Sequence, residues 1–267
     1  WSIYAGLTGA LIILLMLGGM DVFDSICHAF ATTGTGGFST KQASIEFYHS
    51  PYIEYVISIF MFVSGINFTL LLLFVNGKFR KFIHDAELKW YLWSVIGFTA
   101  FIAIVLYYNS SMGVEEAFRK SLFQVASLHT STGFATADYM TWPSVLWGTL
   151  TVIMIIGACA GSTTGGMKCI RLLILAKISR NEFKHITHPN AVLPVRVNKQ
   201  VISPSIRSTV LAFSFLYAVL IIVGTLAMMG MGVGLLESLG CTISSLGNMG
   251  PGLGLCGPCL LYTSPSP

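Results

Sequence analysis

The chain has 267 residues, 54% of them apolar and only 10% charged, with a net charge of +4 and a mean hydropathy of +0.74. An average soluble domain is about 25% charged, so a soluble fold of this size would lack the polar surface that keeps it dissolved. The bilayer is the natural solvent, and the positive excess then reflects orientation in the membrane, with no nucleic-acid partner implied.

Residues 1–20 form the first apolar run, about the length a spanning helix needs. A short amphipathic stretch, 21–31, follows, and then a Gly/Thr cluster, 32–40. A polar link leads to a second long run, 52–75, and to the basic residues Lys78, Arg80, Lys81 and Lys89. The same order recurs with a span at 90–108, a short helix at 114–128 and a Gly/Thr/Ser cluster at 129–137. The returning helix, 145–158, is interrupted by Gly161-Ser162-Thr163-Thr164-Gly165-Gly166 and resumes over 167–178. A basic, proline-containing loop, 179–204, precedes a third round: span 206–229, short stretch 234–245, Gly-rich cluster 246–254. With Gly37, Gly133 and Gly250 as equivalent points the spacings are 96 and 117 residues, a domain-like duplication rather than a solenoid.

Charge placement orients these units. If the Gly/Thr clusters face outside, the segments 78–89 and 168–207 are cytoplasmic. They hold twelve of the fifteen Lys and Arg: Lys78, Arg80, Lys81, Lys89, Lys168, Arg171, Lys177, Arg180, Lys184, Arg196, Lys199 and Arg207. That bias matches the positive-inside rule. Most acids, including Asp21, Asp24, Glu46, Glu54, Glu115, Glu116, Asp138 and Glu237, fall on the outer side, where they concentrate cations. No basic leader with a small-residue cleavage site opens the chain, which reads as a fragment starting inside a membrane helix. Six cysteines show no zinc-like spacing; Cys256 and Cys259 form one CxxC, a weak signal for metal or redox chemistry.

Helices of 11–15 residues cannot cross a ~30 Å hydrocarbon core. Lying between two full spans, they predict re-entrant hairpins whose loops line a wet cavity, because bare backbone is not tolerated against lipid. Rings of backbone carbonyls can replace the water of a dehydrating cation and still release it. Glycine reaches the backbone angles such loops need. Helix C-termini aimed at the loops add a favourable dipole. Ordinary Gly/Thr turns are the alternative, and they leave three short helices unexplained.

Thr35-Gly36-Gly37-Phe38-Ser39-Thr40, His129-Thr130-Ser131-Thr132-Gly133-Phe134-Ala135-Thr136 and Asn248-Met249-Gly250-Pro251-Gly252-Leu253-Gly254 resemble the pore loops of the Trk/Ktr/HKT potassium-transporter superfamily. The resemblance implies an all-α polytopic membrane protein. Repeated membrane helix–pore loop–membrane helix units would be arranged around a pseudo-fourfold pore, and the chain would cover repeats two, three and most of four. Residues 1–77 would be the second repeat, 78–89 a cytoplasmic loop, 90–180 the third repeat, 181–204 a cytoplasmic loop and 205–254 a partial fourth repeat. The filter would comprise Thr35, Gly36, Gly37, Phe38, Ser131, Thr132, Gly133, Phe134, Asn248, Met249 and Gly250. The carbonyls of Thr35, Gly36, Thr132, Gly133, Asn248 and Met249 would hold K+. Gly37 is preferred over Gly34 and Gly36 because it precedes Phe38 as Gly133 precedes Phe134.

The Gly/Ser/Thr segment from Gly157 through Gly161, Ser162, Thr163, Thr164, Gly165 and Gly166 to Lys168 does not meet P-loop spacing. The resemblance makes it an intramembrane gate loop below the filter. Lys168 and Arg171 then lie near the inner vestibule or snorkel to the cytoplasm. Asn67 reads as a packing or pore-lining residue, and His185 and His188 as solvated rather than metal-binding. No nucleophile–base set suggests an enzyme. The family further implies potassium uptake with no cofactor, a homodimer in the bacterial inner membrane, and a TrkA-like cytoplasmic nucleotide-binding regulatory subunit. Sodium selectivity, or cation-coupled symport, on the same architecture is the competing reading; a membrane sensor or enzyme is the more remote one. Residues 255–267 are too short and proline-rich to span, and their end resembles translated adapter read-through, so Tyr262 to Pro267 are expected to be non-native.

Overall fold

A computed structural model describes residues 2–188, 193–198 and 200–257. The chain folds as an all-α polytopic membrane protein, with eleven α-helices and one two-stranded hairpin among the described residues. Helices α1 (Ser2–Leu17), α6 (Ala86–Asn109) and α10 (Pro204–Gly230) are apolar rods. Each packs against the short helix that follows it: α2 (Val22–Thr33), α7 (Val114–His129) and α11 (Leu235–Gly247). Helices α6 and α10 are each long and apolar enough to cross a membrane alone. On α10 only Val210, Tyr217 and Thr225 are buried, while Phe215, Ile222 and Leu226 are exposed, as a lipid-facing helix requires.

The second span is not continuous. Residues 52–75 divide into α3 (Pro51–Ser64) and α4 (Phe68–Val75), bent by 102° at Gly65-Ile66-Asn67. A break inside a membrane frees backbone groups that need new partners. The Asn67 side chain caps α4 by accepting from the Thr69 N–H at 2.8 Å. The Gly65 carbonyl accepts from the Cys159 N–H at 3.1 Å, and the Phe68 N–H donates to the Gly161 carbonyl at 3.1 Å. Those partners belong to the other interrupted helix, so the two breaks satisfy each other. Hydropathy along one segment could not show this, because the cause is more than ninety residues away.

The returning helix of the second unit is α8 (Ser144–Ile156); α9 (Cys169–Thr187) follows the Gly/Ser/Thr segment. Helix α9 runs past the expected stop at 178, and β1 (Arg196–Val197) with β2 (Gln200–Val201) forms a hairpin inside the basic loop. A five-residue helix, α5 (Phe79–Ile83), carries Arg80 and Lys81. His185 and His188 sit exposed at the end of α9. The expectations about residues 258–267, including Cys259 and the end of the atypical tail, lie outside the described residues.

Helix α7 is the centre of the packing, touching α3, α6 and α8. Phe123, Val125, Ala126 and Leu128 on it are buried, with Tyr91, Ile102 and Ile153 among the residues of the surrounding core. At its acidic end Arg119 donates to Glu54 at 2.7 Å and to Glu115 at 2.9 Å, tying α7 to α3. Glu54 and Arg119 are only 9% and 12% exposed, so removing one strands the other. Arg119→Met is expected to cost about 3 kcal/mol, read as a lower Tm in detergent, with Arg119→Lys recovering part of it.

Candidate functional site

Each short helix ends in the same way. Thr35, Ser131 and Asn248 adopt left-handed backbone at φ 51°, 55° and 52°. Two residues later Gly37, Gly133 and Gly250 have φ 67°, 84° and 93°. The N–H groups of Thr35, Ser131 and Asn248 each donate to a carbonyl three residues back, at 3.2 Å. Those of Gly36, Thr132 and Met249 reach five residues back, to Ala31, Ser127 and Ser244, at 2.7, 2.8 and 3.0 Å. This is the Schellman termination, normally built on a glycine. Three side-chain-bearing residues take the left-handed position, which costs each about 1–2 kcal/mol. Thr35 is the most strained, being β-branched. Three copies of one strained turn at 96- and 117-residue spacing make the duplication visible in backbone geometry as well as in sequence.

The loops also touch one another. A β-carbon built on Gly37 would run into the carbonyl oxygen of Thr132, and one on Gly133 into that of Met249. Each glycine therefore seats against the residue preceding the glycine of the next loop. A β-carbon on Gly250 meets nothing within 4 Å. The C-termini of α2, α7 and α11, the negative ends of three helix dipoles, thus converge on one small region lined by backbone. Ser127 and Ser244 hydroxyls brace two loops by donating to the carbonyls of Phe134 and Gly250 at 2.6 and 3.0 Å. Loop one has Ala31 at that position and is held from outside instead. Tyr48 and Thr40 hydroxyls, each at 2.7 Å, and Lys41 at 3.1 Å converge on Asp24, and hydrogen bonds from Tyr48 and Thr40 push its carboxyl down to about 2.

Phe38 and Phe134, equivalent in sequence, are not equivalent in packing. Phe134 is fully buried beside His28 of α2, at 5.8 Å between ring centroids, whereas Phe38 is 80% exposed. The first unit, through His28, covers Phe134 of the second.

The segment between α8 and α9 lies directly against the three helix ends. Thr163 donates to the Thr33 carbonyl of α2 at 3.3 Å, and the Gly165 N–H donates to the Ser131 hydroxyl at 3.2 Å. A β-carbon on Gly165 would overlap the Gly247 carbonyl at the end of α11. The segment thus reaches all three units. It folds upon itself, with Gly157 packed on Gly165 and Gly166. The Ser162 and Thr164 hydroxyls are 2.8 Å apart. Gly161 seats on the Asn67 side chain, which gives Asn67 a packing role between the two breaks. Lys168, at φ 73°, turns back to donate to the Thr164 carbonyl and hydroxyl. Arg171 stacks on the Phe213 ring of α10 at 3.9 Å. A helix rather than a strand precedes the segment, which disagrees with a phosphate-binding loop.

Two features escaped the sequence reading. Cys256, half of the CxxC, is bonded to Cys241 of α11, clamping the third loop to its helix. Glu87, at the start of α6, is buried and accepts from the Ala160 N–H at 2.6 Å. An acidic residue next to a helix cap reads as dipole complementation, so nothing in its neighbourhood marked it.

A model of the TrkH cation transport protein family matches residues 11–260, and so reaches into the segment read as an atypical tail. The Trk system potassium uptake protein TrkH of Escherichia coli (strain K12) is 37% identical over 261 residues, covering 96% of this chain and 53% of that protein. The Trk system potassium uptake protein TrkG of the same organism is 34% identical, covering 95% and 53%. The crystal structure of the potassium transporter TrkH from Vibrio parahaemolyticus superposes with a TM-score of 0.91 at 33% identity, covering 96% of this chain and 56% of that one. The chain spans about half the length of the curated relatives it matches.

Proposed function

Because the chain belongs to the TrkH family of cation transport proteins, we propose that it supplies three of four walls of a potassium uptake pore. The observation that carries this is the convergence of three identically terminated helices on loops that seat glycine against carbonyl. Carbonyls of Thr35, Gly36, Thr132, Gly133, Asn248 and Met249 would replace the water of K+, with Phe38, Ser131, Phe134, Gly37 and Gly250 shaping the ring. A fourth loop, from sequence beyond this chain, would seat against Gly250 and its unit would cover Phe38. The residue ranges 1–77, 90–180 and 205–254 are the corresponding repeats.

The segment from Gly157 to Lys168 would be the gate, since it crosses the exit from the loops. Its contacts to Thr33, Ser131 and Gly247 support an obstructing position. Ions would enter at the acidic face of a bacterial inner membrane and leave beside the basic segments 78–89 and 181–204. A homodimer regulated by a TrkA-like nucleotide-binding subunit on that basic face completes the reading; the relatives' names place them in a Trk system, which suggests partners. A sodium-selective or coupled symporter on the same frame is the alternative. Rubidium and sodium uptake by the full-length protein separates them: Gly133→Ser is expected to reduce the preference for rubidium over sodium. Unchanged flux and selectivity would remove Gly133 from the filter.

A further inference from the structure

Helix α6 and helix α9 meet the gate segment from opposite ends. Glu87 of α6 holds its beginning through the Ala160 N–H at 2.6 Å, and α9 starts directly from its end at Cys169. At the basic end of the molecule the hairpin of β1 and β2 bridges the same two helices. Asn198, in the turn at φ 49°, donates to Asp85 at 2.6 Å and accepts from the Ala86 N–H at 2.8 Å. Asp85 in turn caps α6 through the Leu88 N–H at 2.9 Å. From α9, Lys177 donates to the Arg196 carbonyl at 2.7 Å and Asn181 to the Leu193 carbonyl at 3.1 Å. The contacts close a ring: α6, Glu87, gate segment, α9, Lys177, hairpin, Asn198, Asp85 and back to α6.

We propose that the hairpin is a strap that fixes α9 to α6, and that Glu87 is the positioning residue through which the strap holds the gate segment against the pore helices. This rests on the reading of residues 157–168 as the gate. Three considerations support it. Asn198 is exposed and Asp85 half-buried, and a hydrogen bond at the surface is weak enough to exchange. Glu87 is 6% exposed, so its bond to Ala160 is costly to break without replacement. A load on the hairpin therefore releases the outer joint first and reaches the gate through a rigid helix. The chemistry that would apply the load is a cytoplasmic protein surface gripping the hairpin and the basic turns of α9.

The native thiols Cys159, inside the gate segment, and Cys169, just after it, are each 0% exposed and report on it directly. In inverted vesicles holding the full-length protein, an impermeant maleimide would be applied from the cytoplasmic side and the labelled peptides identified by mass. Asn198→Gly keeps the left-handed turn and deletes only the amide. It is expected to speed labelling of both thiols about fivefold, the factor set by losing its two surface hydrogen bonds at the weak end of their range. Glu87→Ala is expected to do the same, and Glu87→Gln, which keeps an acceptor oxygen, to stay near wild type. Cys27 labelling in right-side-out vesicles, unchanged in all three, shows that the effect is local. Unaltered labelling in Asn198→Gly overturns the strap. Faster labelling with unaltered rubidium flux upholds the strap and instead removes the gating role from residues 157–168.

Discussion

Gly37→Ala is expected to lower potassium uptake by about 10- to 100-fold, while Gly36→Ala leaves it within a few-fold of wild type. The added methyl at position 37 would lie inside the Thr132 carbonyl oxygen, in backbone at φ 67° that alanine disfavours. Neither side can yield cheaply. The Thr132 N–H is bonded to Ser127, and its loop is locked by the Schellman turn. Overpacking of this kind costs roughly 1–3 kcal/mol, which sets the range given. At position 36 the new methyl meets only the Phe38 ring, at 3.3 Å, and that exposed side chain can rotate away. Rubidium uptake by both variants, matched for membrane abundance, decides which of the crowded glycines closes the ring. Equal loss in the two would mean that the loop tolerates no substitution anywhere and that Gly37 is not special.

Gly165→Ala is expected to act in the opposite direction, raising flux several-fold with the preference for potassium intact. The clash is of the same kind, against the Gly247 carbonyl, but the mobile partner differs. Gly247 closes α11, a helix stapled to its own loop through Cys241 and Cys256, whereas Gly165 belongs to a segment of turns without regular structure. The segment is therefore the side that moves, away from the pore helices, and it takes its bond to Ser131 with it. Gly148→Ala, on α8 with nothing within 4 Å of the new methyl, is the control. A fall in flux together with lost selectivity would show that the segment supports the loops rather than obstructing the path beneath them.

These opposite signs depend on which side of each contact is held, and that could not be read from glycine content. The sequence did place the elements well. The apolar runs, the three short helices and the Gly/Thr loops lie close to where hydropathy and turn chemistry put them. Each of those signals is local, and membrane helices satisfy their own backbone. The equivalence of Gly37, Gly133 and Gly250 was also legible, because a positive φ two residues past a left-handed turn selects glycine.

What the tertiary structure alone decided lies where two distant segments complete each other. The run 52–75 reads as one long apolar stretch, and it bends because Gly65 and Phe68 find backbone partners in the break between α8 and α9. Lys168 was placed between a vestibule and the cytoplasm, and the fold turns it back onto Thr164. Glu87 looked like an ordinary first-turn acid until the Ala160 N–H was brought to it from seventy-three residues away. Composition and period determined that this chain belongs in a membrane and carries three short helices, each ending in a Gly-rich loop. The cross-bracing of those loops, of the segment below them and of the hairpin behind it required the fold. Hydrogen bonds between breaks have no period, and each half looks like an unremarkable glycine, asparagine or acid by itself.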